Sequence, residues 1–505
     1  MRKIVAIDLG TTNSMPSIFN EISGQGEGWA SRSGSRITPS VVNIDESGRY
    51  VTGGIAKQNA VLFPESTFEN FKRMMGKEKN AFTVNGEFYS PQFLSALVLK
   101  SIKKDIENYL GTDEFDVVIT VPAYFDSDAC QATKEAGMLA GLQVVDLLHE
   151  PIAAVYHYAS GLELENKTIL VMDLGGGTLD VAVVAISKKE ITELVIDGCL
   201  ELGGIDWNKA LYSYIKEKYL KEKHMGPDDE QELLMSIETA KKMLSERNDT
   251  RIVARTEEGR EMIRITREEF EACTAELLVK VKETLVNVQK EMEEKKINKI
   301  DKIFLVGGAT RMPQIENLLK SEEMFPNVEI IGRDQDEAVA RGAAVYGQIF
   351  AEKKKMFRPK KLKRISASSY GLKAIVDVEK KKSKISNIIY RNAELPVSVS
   401  KNFQTIEDGQ KRVSLEVYEN MSDSSFIEVQ EGVLLGRNVL EIQEELPAKS
   451  ELVVTFTLKE DGTLFADGIE PKGKTKVKIV LEPKTLLGKE ELVIQKERLE
   501  RMESQ

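Results

Sequence analysis

"IDLGTTNS" at residues 7–14 and "MDLGGGTLD" at residues 172–180 are nearly one phrase written twice. Each places an Asp at the end of an apolar run, then a glycine bend, then hydroxyl or amide side chains, with Asp8 and Asp173 165 positions apart. A hairpin bend of this kind brings backbone N–H groups against a phosphate, and a small residue is needed because a Cβ would hold the oxygens away. One copy alone would pass as a glycine turn with an Asp to satisfy it. Two copies facing each other across a cleft would grip one nucleotide from both sides. Asp8 and Asp173, at the strand ends, could then hold Mg²⁺ through its waters.

Two weaker signals accompany the doubled bend. "LVGGATRMP" at 305–313 is a strand ending in Gly307-Gly308 and entering a helix with Pro313 in its first turn, and two glycines there would let a base or ribose lie on the backbone. In "SIETAKKMLSE" at 236–246, Glu238, Lys241 and Ser245 recur at spacings of three and four, so they share one helix face. That face could reach the sugar and base edge, or be a solvated face with an internal ion pair. "GIEPKGKT" at 468–475 matches the P-loop pattern, but a P-loop must open a helix and the residues that follow, "KVKIVLE", alternate like a strand. It is expected to be a polar β-turn.

At 505 residues the chain is expected to hold two to four domains. A net charge of −11 argues against a protein that coats nucleic acid. Three cysteines, Cys130, Cys199 and Cys273, without metal-ligand spacing fit a reducing compartment. No apolar run reaches the length of a membrane helix, and "MRKIVAIDLG" meets an Asp too early for a signal peptide, so a cytoplasmic location is expected with no membrane partner. The first 350 or so residues alternate apolar strands with helical stretches such as "SPQFLSALVLKSIKKDIENYL", the pattern of an α/β domain. Beyond residue 365 short alternating runs such as "RVSLEVYEN" indicate a β-sandwich, with Asp461-Gly462 offering a hairpin turn. "KKKMFRPKKLKR" at 353–364 carries eight Lys or Arg and is expected to end a helix and run into a linker.

With "IDLGTTNS", "VPAYF", "HEPIAA", "DLGGGTLD", "LGGID", "GGATRMP" and "DEAVARGAA" in this order, the chain strongly resembles the 70-kDa heat-shock (DnaK-like) chaperones. The resemblance implies an actin-like (ribonuclease-H-like, two-lobed) α/β ATPase domain over residues 1–358, a basic linker at 359–366, and an all-β sandwich that binds peptide over 367–482. It implies slow hydrolysis of ATP to ADP with Mg²⁺ and a monovalent cation such as K⁺. By the same resemblance Gly10, Thr11, Thr12, Asn13 and Gly175, Gly176, Gly177 and Thr178 contact phosphates, with Gly203 and Gly204 of "LGGID" beside them. Asp8, Asp173 and Asp180 organise cations and water. Lys72 and Glu150 match the positions that hold the attacking water, and Asp173 and Thr178 join them as catalytic. Gly307, Gly308, Arg311 and Asp336, together with Glu238, Lys241 and Ser245, match the adenosine pocket. Phe403, Ile406, Val413 and Leu415 fall where the family lines its groove for an extended apolar peptide, although each could equally be sandwich core. Unfolded polypeptides are the implied clients, and J-domain and nucleotide-exchange co-chaperones the implied partners.

Departures are equally specific. After the last strand "EPKTLLGKEELVIQKERLERMESQ" offers a single amphipathic helix of about 15 residues, or about 22 Å, so residues 483–505 are expected to form a short helix in place of the family's multi-helix lid. The linker "KKLKR" replaces a short aliphatic run, and it cannot dock by burying apolar surface in the usual way. Cys130 stands where the family usually has an Arg that relays nucleotide state. The rival readings are a non-catalytic nucleotide-gated adaptor and a small-molecule kinase on the same fold.

Overall fold

The strand Lys3–Leu9 is apolar at five of its seven positions and the strand Lys167–Leu174 buries six of eight, the near-continuous pattern of strands covered on both faces. Around them the computed structural model describes residues 2–502 apart from 33, 78–80, 85, 354–360, 378–381, 461, 472–474 and 482–486. It divides into two units, one of residues 1–191, 195–361 and 485–505, the other of 192–194 and 362–484.

The first unit contains the same sheet twice. In one copy the order is Val144–His149, Phe115–Val121, Lys3–Leu9, Asn13–Asn20, Gln25–Glu27. In the other it is Glu329–Ile331, Lys302–Val306, Lys167–Leu174, Leu179–Ile186, Glu190–Cys199. Each central strand pairs antiparallel with the strand after its glycine bend and parallel with a strand brought back by helical connections. The doubled phrase in the sequence is thus a doubled hairpin. Leu9 faces Ser14 across the first, while Asp173 faces Asp180 across the second.

Helices follow from local signals. Pro91–Leu110 begins where the Ser90 hydroxyl accepts the Phe93 N–H at 3.1 Å, and it stops at Gly111, whose φ of +69° terminates the helix. Glu150–Ala159 and Ala338–Lys353, the helices of "HEPIAA" and "DEAVARGAA", cross so closely that a Cβ on Gly342 would lie 1.7 Å from the Ala153 carbonyl oxygen. The small residues of both motifs are what let these helices touch.

Two segments differ from expectation. Lys361–Lys363, inside the stretch expected to be a linker that cannot dock by burying apolar surface, is an edge strand, and the Lys361 N–H donates to the Lys189 carbonyl at 2.7 Å. Backbone pairing does not require the apolar side chains whose absence suggested otherwise; residues 354–360 lie outside the described residues. The C-terminal helix forms over Lys489–Arg501 but groups with the first unit. Leu487 and Leu499 enter the core of Leu94, Leu97 and Leu139, with Leu492 and Met502 packed against it. Lys100 Nζ donates to the Leu499 carbonyl at 2.6 Å, and the Arg498 guanidinium lies 4.3 Å from the Tyr89 ring centroid while donating to the Phe88 carbonyl at 2.9 Å. The helix is part of the first unit because that unit, through the Pro91–Leu110 and Ser127–Leu139 helices, offers the apolar surface its Leu face needs.

The second unit is a sandwich of a five-stranded sheet (Phe426–Glu428, Lys382–Ile389, Ser369–Asp377, Gln410–Asn420, Val433–Leu446) and a four-stranded one (Val397–Gln404, Glu451–Leu458, Leu464–Glu470, Thr475–Leu481). Its core joins Leu372, Ile389 and Val417 of one sheet to Val454, Phe456 and Ala466 of the other. Leu464–Glu470 and Thr475–Leu481 are antiparallel, so the P-loop look-alike joins two strands and opens no helix. Its residues 472–474, like Asp461 and residues 378–381, lie outside the described residues.

Candidate nucleotide site

The two hairpins face each other. A Cβ on Gly176 would lie 1.7 Å from Thr12 Oγ1, and one on Gly177 would lie 2.4 Å from Thr11 Oγ1. Only glycine in the second lobe's bend admits the first lobe's threonines to this distance. The second bend is closed by the Gly175 N–H on the Thr178 carbonyl at 3.1 Å. Between the bends lies a cleft lined by Asp8, Gly10 to Asn13, Lys72, Glu150, Asp173, Gly175 to Thr178, Gly307, Gly308 and Asp336. The Thr12 hydroxyl oxygen is buried there with no hydrogen-bond partner among the described residues.

Charge in the cleft is unbalanced. Lys72, 4 % exposed on its side chain, donates to Glu150 Oε1 at 2.8 Å. Asp8 accepts from the Thr120 hydroxyl at 2.8 Å and Asp180 from the Tyr124 N–H at 3.1 Å. Burial, and then the Glu150 carboxylate, push the Asp8 carboxyl up to about 7 against Lys72 and Thr120. The same two causes raise Asp180 to about 7 and Asp173 well above the ordinary carboxylate range. Burial works to lower the Lys72 ammonium, but Glu150 and Asp8 outweigh it and leave it above its ordinary value. Four carboxylates around one ammonium in a shielded cleft favour a cationic guest. Among the described residues no three acidic, His or Cys side chains converge closely enough to bind an ion directly.

Not every expected residue lines the cleft. Gly203 and Gly204 lie behind the second bend, where the Gly204 and Ile205 N–H groups donate to the Gly175 and Gly176 carbonyls at 2.9 Å each. Lys241 Nζ donates to the Gly204 carbonyl at 2.6 Å, and burial brings its ammonium down to about 8. Glu238 meets Lys57 at 2.7 Å and Lys242 at 2.7 Å; burial works to raise it, but Lys57 and then Lys242 hold it at about 2. The Ser245 hydroxyl turns back to the Lys241 carbonyl at 3.3 Å. Arg311 is engaged with Asp336 at 2.6 Å, beside Gly308. Gly307 has φ +81°, and a Cβ there would lie 2.6 Å from Asp173 Oδ1, so this glycine is required by both the bend and the aspartate.

Thr120, Tyr124 and Gln335 were not singled out from the sequence. No local pattern marks them; Thr120 reaches Asp8 because the strands Lys3–Leu9 and Phe115–Val121 are in parallel register, Ile7 opposite Ile119.

In the sandwich, Leu415 is buried, 1 % exposed. Phe403 and Val413 are half-buried between two apolar clusters, and Ile406 is half-buried with its N–H on Gln410 Oε1 at 3.0 Å. Val413, Leu415 and Val417 alternate along Gln410–Asn420, and the face they share is turned inward.

The Hsp70 protein family model matches residues 4–85 and 78–505. The chaperone protein DnaK of Thermotoga neapolitana is 33% identical over 520 residues, covering 99% of this chain and 84% of that protein, and that of Thermotoga maritima aligns to the same extent. The chaperone protein DnaK of Thermosipho melanesiensis is 34% identical over 476 residues, 91% of this chain and 76% of its own. With facing glycine hairpins over an acidic cleft and a match along nearly the whole chain, this protein belongs to the Hsp70 family.

Proposed function

We propose that ATP lies in this cleft with its phosphates between Gly10–Asn13 and Gly175–Thr178, and that Lys72 and Glu150 hold the water that attacks the terminal phosphate. The chain is an ATP-hydrolysing chaperone that binds unfolded polypeptide; the proposal concerns how its residues do this. The observation that carries it is the buried Lys72–Glu150 pair opening onto two bends whose glycines admit no side chain. The Lys72 ammonium would stabilise charge developing on the transferred phosphoryl group. Thr178 would orient water or phosphate from the opposite bend. Asp8 and Asp180, fixed by the Thr120 hydroxyl and the Tyr124 N–H, would accept hydrogen bonds from waters beside the phosphates. Asp8, Asp173 and Asp180 suit a hydrated Mg²⁺, which keeps its waters, or a K⁺ beside it, and bound there the metal would neutralise phosphate charge.

The sandwich would take extended, apolar polypeptide, with J-domain and nucleotide-exchange partners acting on the ATPase unit. A cytoplasmic home fits the three-cysteine composition, and among the described residues no helix is long and apolar enough to cross a membrane. The test is ATP turnover with and without an unfolded peptide, in the parent and in Lys72→Ala. Turnover should fall by about 10²-fold or more while ADP still binds; unchanged turnover would remove Lys72 from the mechanism.

A further inference from the structure

We infer that Arg73, next to Lys72 in the chain, is a positioning residue that clamps the two lobes together and sets how fast nucleotide leaves. This rests on nucleotide lying between the two glycine bends. Both residues ride on the short turn Phe71–Met74, entered through Asn70 at φ +61° and tied by the Arg73 N–H to the Asn70 carbonyl at 3.1 Å. They point opposite ways. Lys72 reaches Glu150 on its own lobe, whereas Arg73 crosses to the other.

There its Nε donates to the Gly177 carbonyl at 2.8 Å, and its two terminal nitrogens take both oxygens of Asp206, one of them at 3.1 Å. Asp206 is no ordinary surface acid. Its Oδ2 also accepts the Gly203 N–H at 2.8 Å, capping the helix Gly204–Tyr219 whose first N–H groups support the Gly175–Gly177 bend from behind. One guanidinium therefore holds both the bend itself and the helix start that braces it. The pair is mostly shielded, with side chains 12% and 16% exposed, so it is stronger than an exposed ion pair.

Neither Arg73 nor Asp206 lines the cleft, so the clamp acts through other groups. Closed, it fixes the second bend against the turn that carries Lys72. Nucleotide gripped from two lobes can leave only when they part, and parting them breaks three hydrogen bonds of a forked guanidinium. Lysine cannot reproduce that fork.

The experiment is stopped-flow release of a fluorescently tagged ADP, chased with excess unlabelled ATP, alongside thermal melts and ATP turnover. Arg73→Ala and Asp206→Ala should each speed release by about tenfold or more, because truncating one partner of a shielded, hydrogen-bonded charge pair acts mainly on dissociation. The double variant should release no faster than the quicker single one, and Arg73→Lys should fall between parent and Arg73→Ala. Lys72→Ala should lose turnover yet keep slow release, which separates the clamp from the chemistry. Release unchanged in both Ala variants, or effects that multiply in the double variant, would overturn the clamp. If Arg73→Ala does not melt cooperatively, Arg73→Lys and Asp206→Asn decide by the same criteria. No saturable ADP binding by the parent would overturn the nucleotide site and the clamp with it.

Discussion

Replacing Gly176 by Ala adds a single methyl group where the two lobes are closest. That carbon would lie 1.7 Å from Thr12 Oγ1 and 2.9 Å from Thr12 Cβ, where ordinary contact begins at 3.4 Å. Turning the Thr12 hydroxyl away relieves the first clash but not the second, so the bends must part. Overpacking of this kind costs about 1–3 kcal/mol in stability. The larger effect falls on function, because a displacement of about 1 Å between groups that must converge on one phosphate can cost about 10²-fold in rate. We therefore expect kcat/KM for ATP hydrolysis to fall by about two orders of magnitude, with a melting temperature lowered by only a few degrees. Thr12→Gly removes every atom met by the new methyl group, so adding it to Gly176→Ala should recover part of the lost nucleotide affinity, measured by calorimetric titration of ADP. Gly176→Ala with parental kcat/KM would refute the facing-hairpin geometry. A double variant worse than Gly176→Ala would refute Thr12 as the obstacle.

Burial lowers the Lys241 ammonium to about 8, whereas an unfolded chain keeps that proton to about 10.4. The unfolded state thus binds more protons between those values, and stability at this site rises with pH; melts should show the parent gaining on Lys241→Met between about pH 8 and about pH 10.4, and parallel curves would contradict the assignment. Leu499→Ala, at a position 1 % exposed in the first unit's core, should destabilise the ATPase-side unit by about 2–5 kcal/mol without altering the sandwich, as followed by hydrogen exchange of each unit. Val413→Phe should lower the sandwich's stability by about 1–3 kcal/mol through overpacking, since Val413 sits between two apolar clusters; a stable variant with peptide binding blocked would instead place it at an open groove.

The doubled hairpin was legible because it depends on glycine and aspartate at fixed local offsets, and both copies of the sheet follow from it. The Lys72–Glu150 pair was not legible from spacing: the partners are 78 residues apart, and nothing local distinguishes Lys72 from a surface lysine, so only family resemblance pointed to it. Periodicity placed Glu238, Lys241 and Ser245 on one helix face, but it could not say what that face would meet. Lys57, 181 residues from Glu238, and the Gly204 carbonyl claim the first two. The strand Lys361–Lys363 was missed because composition describes side chains, while its pairing is made by backbone. The fate of the last helix was hidden for a related reason: its amphipathicity announces that one face will be buried, not which surface will bury it.

That helix makes the sandwich an insertion. Residues 485–505 return to the unit that holds 1–191, so segment 362–484 leaves the ATPase-side fold and comes back to it. A protease that cuts once within the sandwich would not free the C-terminal fragment, because Leu487, Leu499 and Arg498 would still hold it to the larger unit. Fragments that separate on a denaturing gel should therefore run together on a native one.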